Sequence, residues 1–170
     1  MAKRFHGTMH FDAAPDVVFA AQSDADYVAW KHGHMAAFDI SAESHEDGAG
    51  WTISSSRKLP AQIPSAAKRF VGEHIQIDEV HRWGHPEVDG TRHGTVTASF
   101  GGAPMSVDGT LVLRPEGAGS ALEVVIHSKA SVPIVGGKVE TVVGDQFMRA
   151  LRKEQEIAPQ WFSGEASASA

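Results

Sequence analysis

The sequence predicts a single α+β domain in which a curved antiparallel sheet of about seven strands wraps around one long C-terminal helix. Three observations lead to this fold class. The middle of the chain alternates apolar and polar residues in successive short runs, turns rich in glycine and proline separate the runs, and the pattern changes to a helical period near the end. A chain of 170 residues has the length of one domain. We expect residues 1–162 to form it and the small, polar residues 163–170 to be a disordered tail.

The opening of the chain predicts one strand and two short helices. Residues 4–12 alternate as a half-buried strand does. Asp12 is then a candidate N-cap, and Pro15 suits the first turn of a helix. A second short helix is expected at residues 25–32, where apolar and aromatic side chains cluster.

Six further strands are predicted from residue 38 to residue 126, each with apolar residues at every second position. The turns between them fall at residues 46–50, 86–90, 101–102 and 115–119. Residues 60–71 interrupt the alternation with two prolines, and we expect a loop with a short helix there. Consecutive strands joined by short turns predict an antiparallel sheet.

The long helix is expected to follow Gly136 and Gly137 and to run for about 25 residues, or roughly 35–40 Å. Its apolar residues recur at intervals of three or four residues: Val139, Val142, Val143, Phe147, Ala150, Leu151, Ile157, Ala158 and Trp161. Pro159 should kink or end the last turn. This helix is the element long enough to cover the concave face of a curved sheet.

Composition excludes several classes of function. Cysteine is absent, which excludes disulfides and thiol chemistry and agrees with a cytoplasmic protein. No apolar run is long enough for a transmembrane helix, and the N-terminus does not resemble a secretory signal. The net charge of −6 and the scattered Lys and Arg residues argue against a nucleic-acid partner. We expect a monomer or weak dimer.

The ten histidines suggest a metal site, but their spacing does not support one. Zinc needs three or four converging ligands, and neither cysteine nor an H-E-x-x-H pattern is present. We therefore predict no metal and no cofactor, with exposed histidines on strands and loops.

Glu79 and His81 are the candidate polar groups of an internal site. They alternate in phase with Ile75, Ile77 and Trp83, so they point to the same face as these apolar residues. A buried carboxylate and imidazole must be paired or neutral, and such a pair serves either as a polar anchor or as an acid and base. The alternative is that the strand bulges and leaves the core near the turn at Pro86.

Four runs and their order resemble a known superfamily. They are APDVV at residues 14–18, RKLP at 57–60, GGAPMSVDGTL at 101–111 and VPIVGGKVE at 132–140. Together with the order of elements, they resemble the helix-grip fold of the START-like (SRPBCC) superfamily, which includes birch-pollen-allergen-like proteins and polyketide cyclases. The similarity is greatest to an uncharacterised bacterial branch, a domain of unknown function, and covers about residues 3–162.

The resemblance implies a binding or carrier protein for a small hydrophobic ligand, such as a lipid or a polyketide-like molecule, held between sheet and helix. An alternative is an enzyme of the cyclase or dehydratase type that uses Glu79 and His81. A third possibility is a structural or protein-interaction domain with a filled core. The candidate ligand-binding residues are Met9, Phe11, Trp51, Ile53, Ile77, Glu79, His81, Val96, Phe100, Met105, Val107, Val124, Val143 and Phe147.

Overall fold

A computed structural model describes residues 2–62, 65, 68–69 and 72–166, and seven strands and three helices have defined bounds within these ranges. The elements in chain order are β1 (Lys3–Phe11), α1 (Pro15–Gln22), α2 (Ala25–Gly33), β2 (Phe38–Asp47), β3 (Gly50–Pro60), β4 (His74–Trp83), β5 (Arg92–Ser99), β6 (Met105–Glu116), β7 (Gly119–Ala130) and α3 (Gly136–Phe162). The predicted α+β fold class is confirmed.

The seven strands form one antiparallel sheet in the order β1-β7-β6-β5-β4-β3-β2. From β2 to β7 each strand pairs with the next one along the chain. Two to eight residues separate these partners except between β3 and β4, where residues 61–73 intervene. β1 pairs with β7, so the first strand closes the sheet against the last. The outermost strands, β1 and β2, each pair on one side only among the described residues.

Helix α3 lies across the concave face of the sheet. Its 27 residues span about 40 Å. Val139 near its start and Ile157 and Ala158 near its end are buried. Between them the helix crosses β1 at Gly144, where a Cβ atom would stand 2.0 Å from the ring of Phe5. Pro159 lies inside the last turn, so the helix continues through it to Phe162.

The two short helices cover one end of the sheet. Ala14, not Asp12, is the N-cap of α1, and Pro15 occupies its first turn as predicted. Phe19 of α1 packs edge-on against Trp51, with ring centroids 5.0 Å apart. Asp24 caps α2 by accepting a hydrogen bond of 2.8 Å from the backbone N–H of Asp26.

Two predictions fall wholly or partly outside the described residues. The short helix expected within residues 60–71 lies largely outside them, as do residues 167–170 of the expected tail. At residue 163 the chain leaves α3 in a turn, in which the N–H of Ser163 donates to the carbonyl of Pro159 at 3.0 Å. Across the described ranges, none of the helices combines the length and the apolar character needed to cross a membrane.

Candidate functional site

A cavity of about 220 Å³ lies between the concave face of the sheet and α3. Most of its wall is apolar. The strands contribute Met9, Leu59, Ile75, Ile77, Trp83, Ala98, Leu111, Leu122 and Val124, Phe100 follows directly after β5, and α3 contributes Val142, Val143, Phe147, Ala150 and Leu151. The predicted space between sheet and helix is therefore not filled by side chains, which contradicts the alternative of a filled core.

The cavity reaches the surface between α2, the end of β3 and the middle of α3. Ala36, Pro60 and Gln62 are exposed members of its lining. The side-chain amide of Gln146 on α3 donates to the side-chain oxygen of Gln62 at 3.1 Å, so one hydrogen bond joins the two sides of this opening.

Apart from Gln62 and Gln146 at the opening, the charged and polar side chains of the described lining gather in one part of the wall. They come from five elements because α1, α2, β3, β4 and α3 converge there: Gln22, Lys31, His32, Arg57, Glu79, His81 and Glu154. We call this set the polar wall. A mostly apolar cavity with a few convergent polar groups is the usual make-up of a small-molecule site.

The carboxylate of Glu154 is the centre of the first half of the polar wall. It accepts hydrogen bonds from Gln22 Nε2 at 2.6 Å, from Tyr27 Oη at 2.8 Å and from Lys31 Nζ at 3.0 Å. Glu154 and Lys31 are 4 % and 5 % exposed, so this is a buried ion pair. Burial, and then the charge and hydrogen bond of Glu154, raise the pKa of the Tyr27 hydroxyl, which therefore remains a donor.

The carboxylate of Glu79 is the centre of the second half. Its Oε2 lies 2.7 Å from Arg57 Nη2, and its Oε1 lies 2.6 Å from His81 Nε2. Burial alone would raise the pKa of Glu79, but the Arg57 guanidinium and the bond to His81 hold that pKa well below its ordinary value. Glu79 is therefore ionised at neutral pH and acts only as an acceptor.

His32 lines the cavity with both ion pairs and interacts electrostatically with residues of each. It is 6 % exposed, and its Nε2 has no hydrogen-bond partner among the described residues. Burial, and then the positive charges of Arg57 and Lys31, lower the pKa of His32 to about 2. The imidazole is thus neutral at physiological pH. Unpartnered buried polar atoms are rare in folded proteins.

The structure brings together eight of the fourteen candidate residues predicted from the sequence. Met9, Ile77, Glu79, His81, Phe100, Val124, Val143 and Phe147 all line the cavity. Glu79 and His81 do share the inner face of β4 with Ile75, Ile77 and Trp83, as their alternation indicates.

The other six candidates do not line this cavity, so the structure does not bring them together with the eight. They are Phe11, Trp51, Ile53, Val96, Met105 and Val107. Phe11 packs against Phe162 with ring centroids 5.9 Å apart, and Trp51 packs against Phe19 of α1. Val96 and Val107 are almost fully buried. Alternation assigns a residue to a face of the sheet, but it does not tell which part of that face other side chains cover tightly.

Five members of the polar wall were missed by the sequence analysis, although periodicity could have indicated each of them. Lys31 and His32 follow Tyr27 and Val28 by four residues, which places them on the buried face of α2. Gln22 is the last residue of α1 and follows the buried Val18 by four. Arg57 lies two and four residues after Ser55 and Ile53, which places it on the same face of β3. Glu154 follows Phe147 by seven residues, which places both on the same face of α3.

The described part of the chain holds no group of three or more His, Asp or Glu side chains placed to bind a metal ion. Instead, the four formally charged side chains of the polar wall form two opposite-charge pairs, Lys31 with Glu154 and Arg57 with Glu79. Chemically, the arrangement can orient one end of a small molecule by hydrogen bonding while the apolar wall contacts the rest.

Comparison with known families gives a match over nearly the whole chain. A family described as "Protein of unknown function (DUF2505)" matches residues 6–162. The uncharacterized protein Rv0481c of Mycobacterium tuberculosis (strain H37Rv) is 22% identical over 174 residues, which cover 96% of this chain and 98% of that protein.

Solved structures show the same fold at low sequence identity. The protein TTHA0849 from Thermus thermophilus has a TM-score of 0.62 at 16% identity and covers 92% of this chain and 99% of its own. The structure of Ara h 8.0201 has a TM-score of 0.52 at 14% identity, with 92% and 97% covered. Norcoclaurine synthase from Thalictrum flavum, in complex with dopamine and hydroxybenzaldehyde, has a TM-score of 0.50 at 14% identity, with 94% and 88% covered.

Proposed function

Because the chain belongs to the DUF2505 family of proteins of unknown function and has the START-like helix-grip fold, we propose that it binds a small hydrophobic molecule, such as a lipid or a polyketide-like compound, in the cavity under α3. The observation that carries the proposal is the cavity itself, whose wall is apolar except for one convergent polar wall. The norcoclaurine synthase structure supports it in a general way, because that protein of the same fold is in complex with two small aromatic compounds.

The size of the cavity limits the ligand. An apolar cavity of ~150 Å³ in another protein binds benzene. The volume of about 220 Å³ here therefore suits a ligand of one or two rings, or a short branched chain, and a longer ligand would extend through the opening at Gln62 and Gln146.

The test is uptake of N-phenyl-1-naphthylamine, an uncharged dye that fluoresces in apolar surroundings. We expect the wild-type protein to bind it and Ala150→Trp, which fills the cavity from α3, to weaken binding at least about tenfold, or 1.4 kcal/mol. Ala20→Trp is the matched control, because Ala20 is exposed on α1 and does not line the cavity. Absence of dye binding to the wild type, or equal binding by a folded Ala150→Trp variant, would contradict the proposal.

The contact between Glu79 and His81 favours a second candidate function, an enzyme of the cyclase or dehydratase type. Since Glu79 stays ionised, it would orient the imidazole, and His81 would be the group that moves a proton. The two functions differ in what happens to a bound compound. A carrier returns it unchanged after long incubation, whereas an enzyme converts it, and the conversion should disappear in His81→Leu while binding survives.

A further inference from the structure

The orientation of His81 determines which hydrogen-bonding group this residue offers to a ligand. Its Nε2 lies 2.6 Å from Oε1 of Glu79. A carboxylate without a proton can only accept, so Nε2 must carry the ring proton. In the neutral imidazole the other nitrogen, Nδ1, is then an acceptor with a free lone pair. Among the described residues no group bonds to Nδ1, and the His81 side chain is 17% exposed in the wall of the cavity.

A second nitrogen of the same wall also lacks a partner. Nε2 of His32 is buried without a hydrogen bond from the described part of the chain. The two imidazoles come from different elements, α2 and β4, yet both line the cavity. The hydrogen-bonding capacity of this wall thus exceeds what the described protein groups use, which points to a polar group on the ligand.

The charges of the polar wall argue against an ionic ligand. Both cations, Lys31 and Arg57, are already bonded to buried carboxylates at 3.0 and 2.7 Å. A charged ligand group would lose its hydration in the cavity without gaining a free counter-charge, and such desolvation is costly. An uncharged polar group does not meet this barrier.

We infer that the ligand is an uncharged, mostly apolar molecule with a hydroxyl group, and that this hydroxyl donates a hydrogen bond to Nδ1 of His81. The hydroxyl oxygen remains able to accept, so it also suits a wall with a second imidazole. The inference rests on the proposed binding function and specifies its ligand class.

The experiment compares four naphthalenes of similar shape by isothermal titration calorimetry at pH 7.5. 2-Naphthol can donate, 2-methoxynaphthalene can only accept, 2-methylnaphthalene can do neither, and 2-naphthoate is an anion. We expect 2-naphthol to bind tighter than the methoxy and methyl compounds by between about twofold and tenfold, the effect of one hydrogen bond. 2-Naphthoate should bind most weakly.

His81→Leu should abolish the preference for 2-naphthol and leave the affinity for 2-methylnaphthalene within about twofold. Binding of the methyl compound also reports that the variant is folded with its cavity intact. The matched control is His93→Leu. His93 forms a similar contact with Glu87 at 3.0 Å, but both residues are exposed and neither lines the cavity.

The outcomes separate this inference from the proposed function. If none of the four compounds binds, the proposed function fails. If 2-methylnaphthalene binds but 2-naphthol binds no better, or if His81→Leu keeps the preference, the hydroxyl inference fails and the binding function stands. Tightest binding of 2-naphthoate would overturn the inference in favour of an anionic ligand.

Discussion

His32 is a buried imidazole that the fold keeps neutral, and this has a consequence for stability. Burial lowers its pKa first, and the charges of Arg57 and Lys31 lower it further, to about 2. Glu79 opposes this shift, and His81 adds to it weakly. The unfolded chain lacks these contacts, so there the residue titrates near its ordinary pKa of ~6.5. Below that pH the unfolded state binds a proton that the folded state does not.

We therefore predict that His32 costs the folded protein stability as the pH falls from about 6.5 toward 2. In this range each pH unit lowers the free energy of unfolding by up to about 1.4 kcal/mol, the value for the uptake of one proton. Urea unfolding at pH 7, 6 and 5 should show the free energy of unfolding falling more steeply in the wild type than in His32→Leu. His34→Leu is the control, because His34 is the exposed C-cap residue of the same helix. Parallel curves for the wild type and His32→Leu would contradict the prediction.

Among the elements, three helices meet at the carboxylate of Glu154, which bonds to Gln22 of α1 and to Tyr27 and Lys31 of α2. A buried pair such as this one has a large cost of desolvation that only intact pairing offsets. The intact network contributes little net stability, but breaking it leaves a buried charge without a partner. This penalty is what fixes the positions of α1 and α2 relative to α3.

Glu154→Gln should lower the free energy of unfolding by about 3–5 kcal/mol, because it leaves the Lys31 ammonium buried without a counter-charge. Glu156→Gln is the control on the same helix. It removes an exposed contact of 3.1 Å with Lys153, for which less than about 1 kcal/mol is expected. The double variant Lys31→Met with Glu154→Leu should recover much of the loss. Equal effects of Glu154→Gln and Glu156→Gln in chemical denaturation would show that the pair is not buried in solution.

The contact between α3 and β1 gives a second prediction about elements. Glycine inside a helix costs about 1 kcal/mol relative to alanine, so Gly144→Ala would stabilise an isolated helix. Here the added Cβ would stand 2.0 Å from Phe5, so we expect a loss of about 1–3 kcal/mol. Gly137→Ala has open space around its Cβ and should be neutral or slightly stabilising. Both effects are measurable by thermal unfolding.

Truncating the opposing ring tests the cause. In the background of Phe5→Ala, the cost of Gly144→Ala should largely disappear, because the two changes act on one contact. If the cost persists, the helix and not the contact with Phe5 determines the effect.

For the whole molecule, the sequence predicts the fold well and the site only in part. The fold follows from the spacing of the apolar residues. They occur at every second position in the strands and at every third or fourth position in α3, and each spacing is a local property of the chain. Glu79 and His81 could be predicted because inward-facing and outward-facing residues alternate without interruption along β4. Lys31 and Glu154 were missed because charged residues on a helix usually face water, and their burial depends on each other across 123 positions of the chain. Periodicity places each of them on a helix face with buried residues, but no local pattern reports that the two side chains pair.

Among the described residues β2 is an edge strand of the sheet, and its composition affects how copies of the protein meet one another. Along Phe38–Asp47 this strand carries the carboxyl groups of Asp39, Glu43, Glu46 and Asp47. When two β2 edges approach each other, these like charges repel at neutral pH, and acidic or basic side chains on an edge strand are a known protection against edge-to-edge aggregation. The acidic character of β2 thus disfavours growth of the sheet from one molecule to the next.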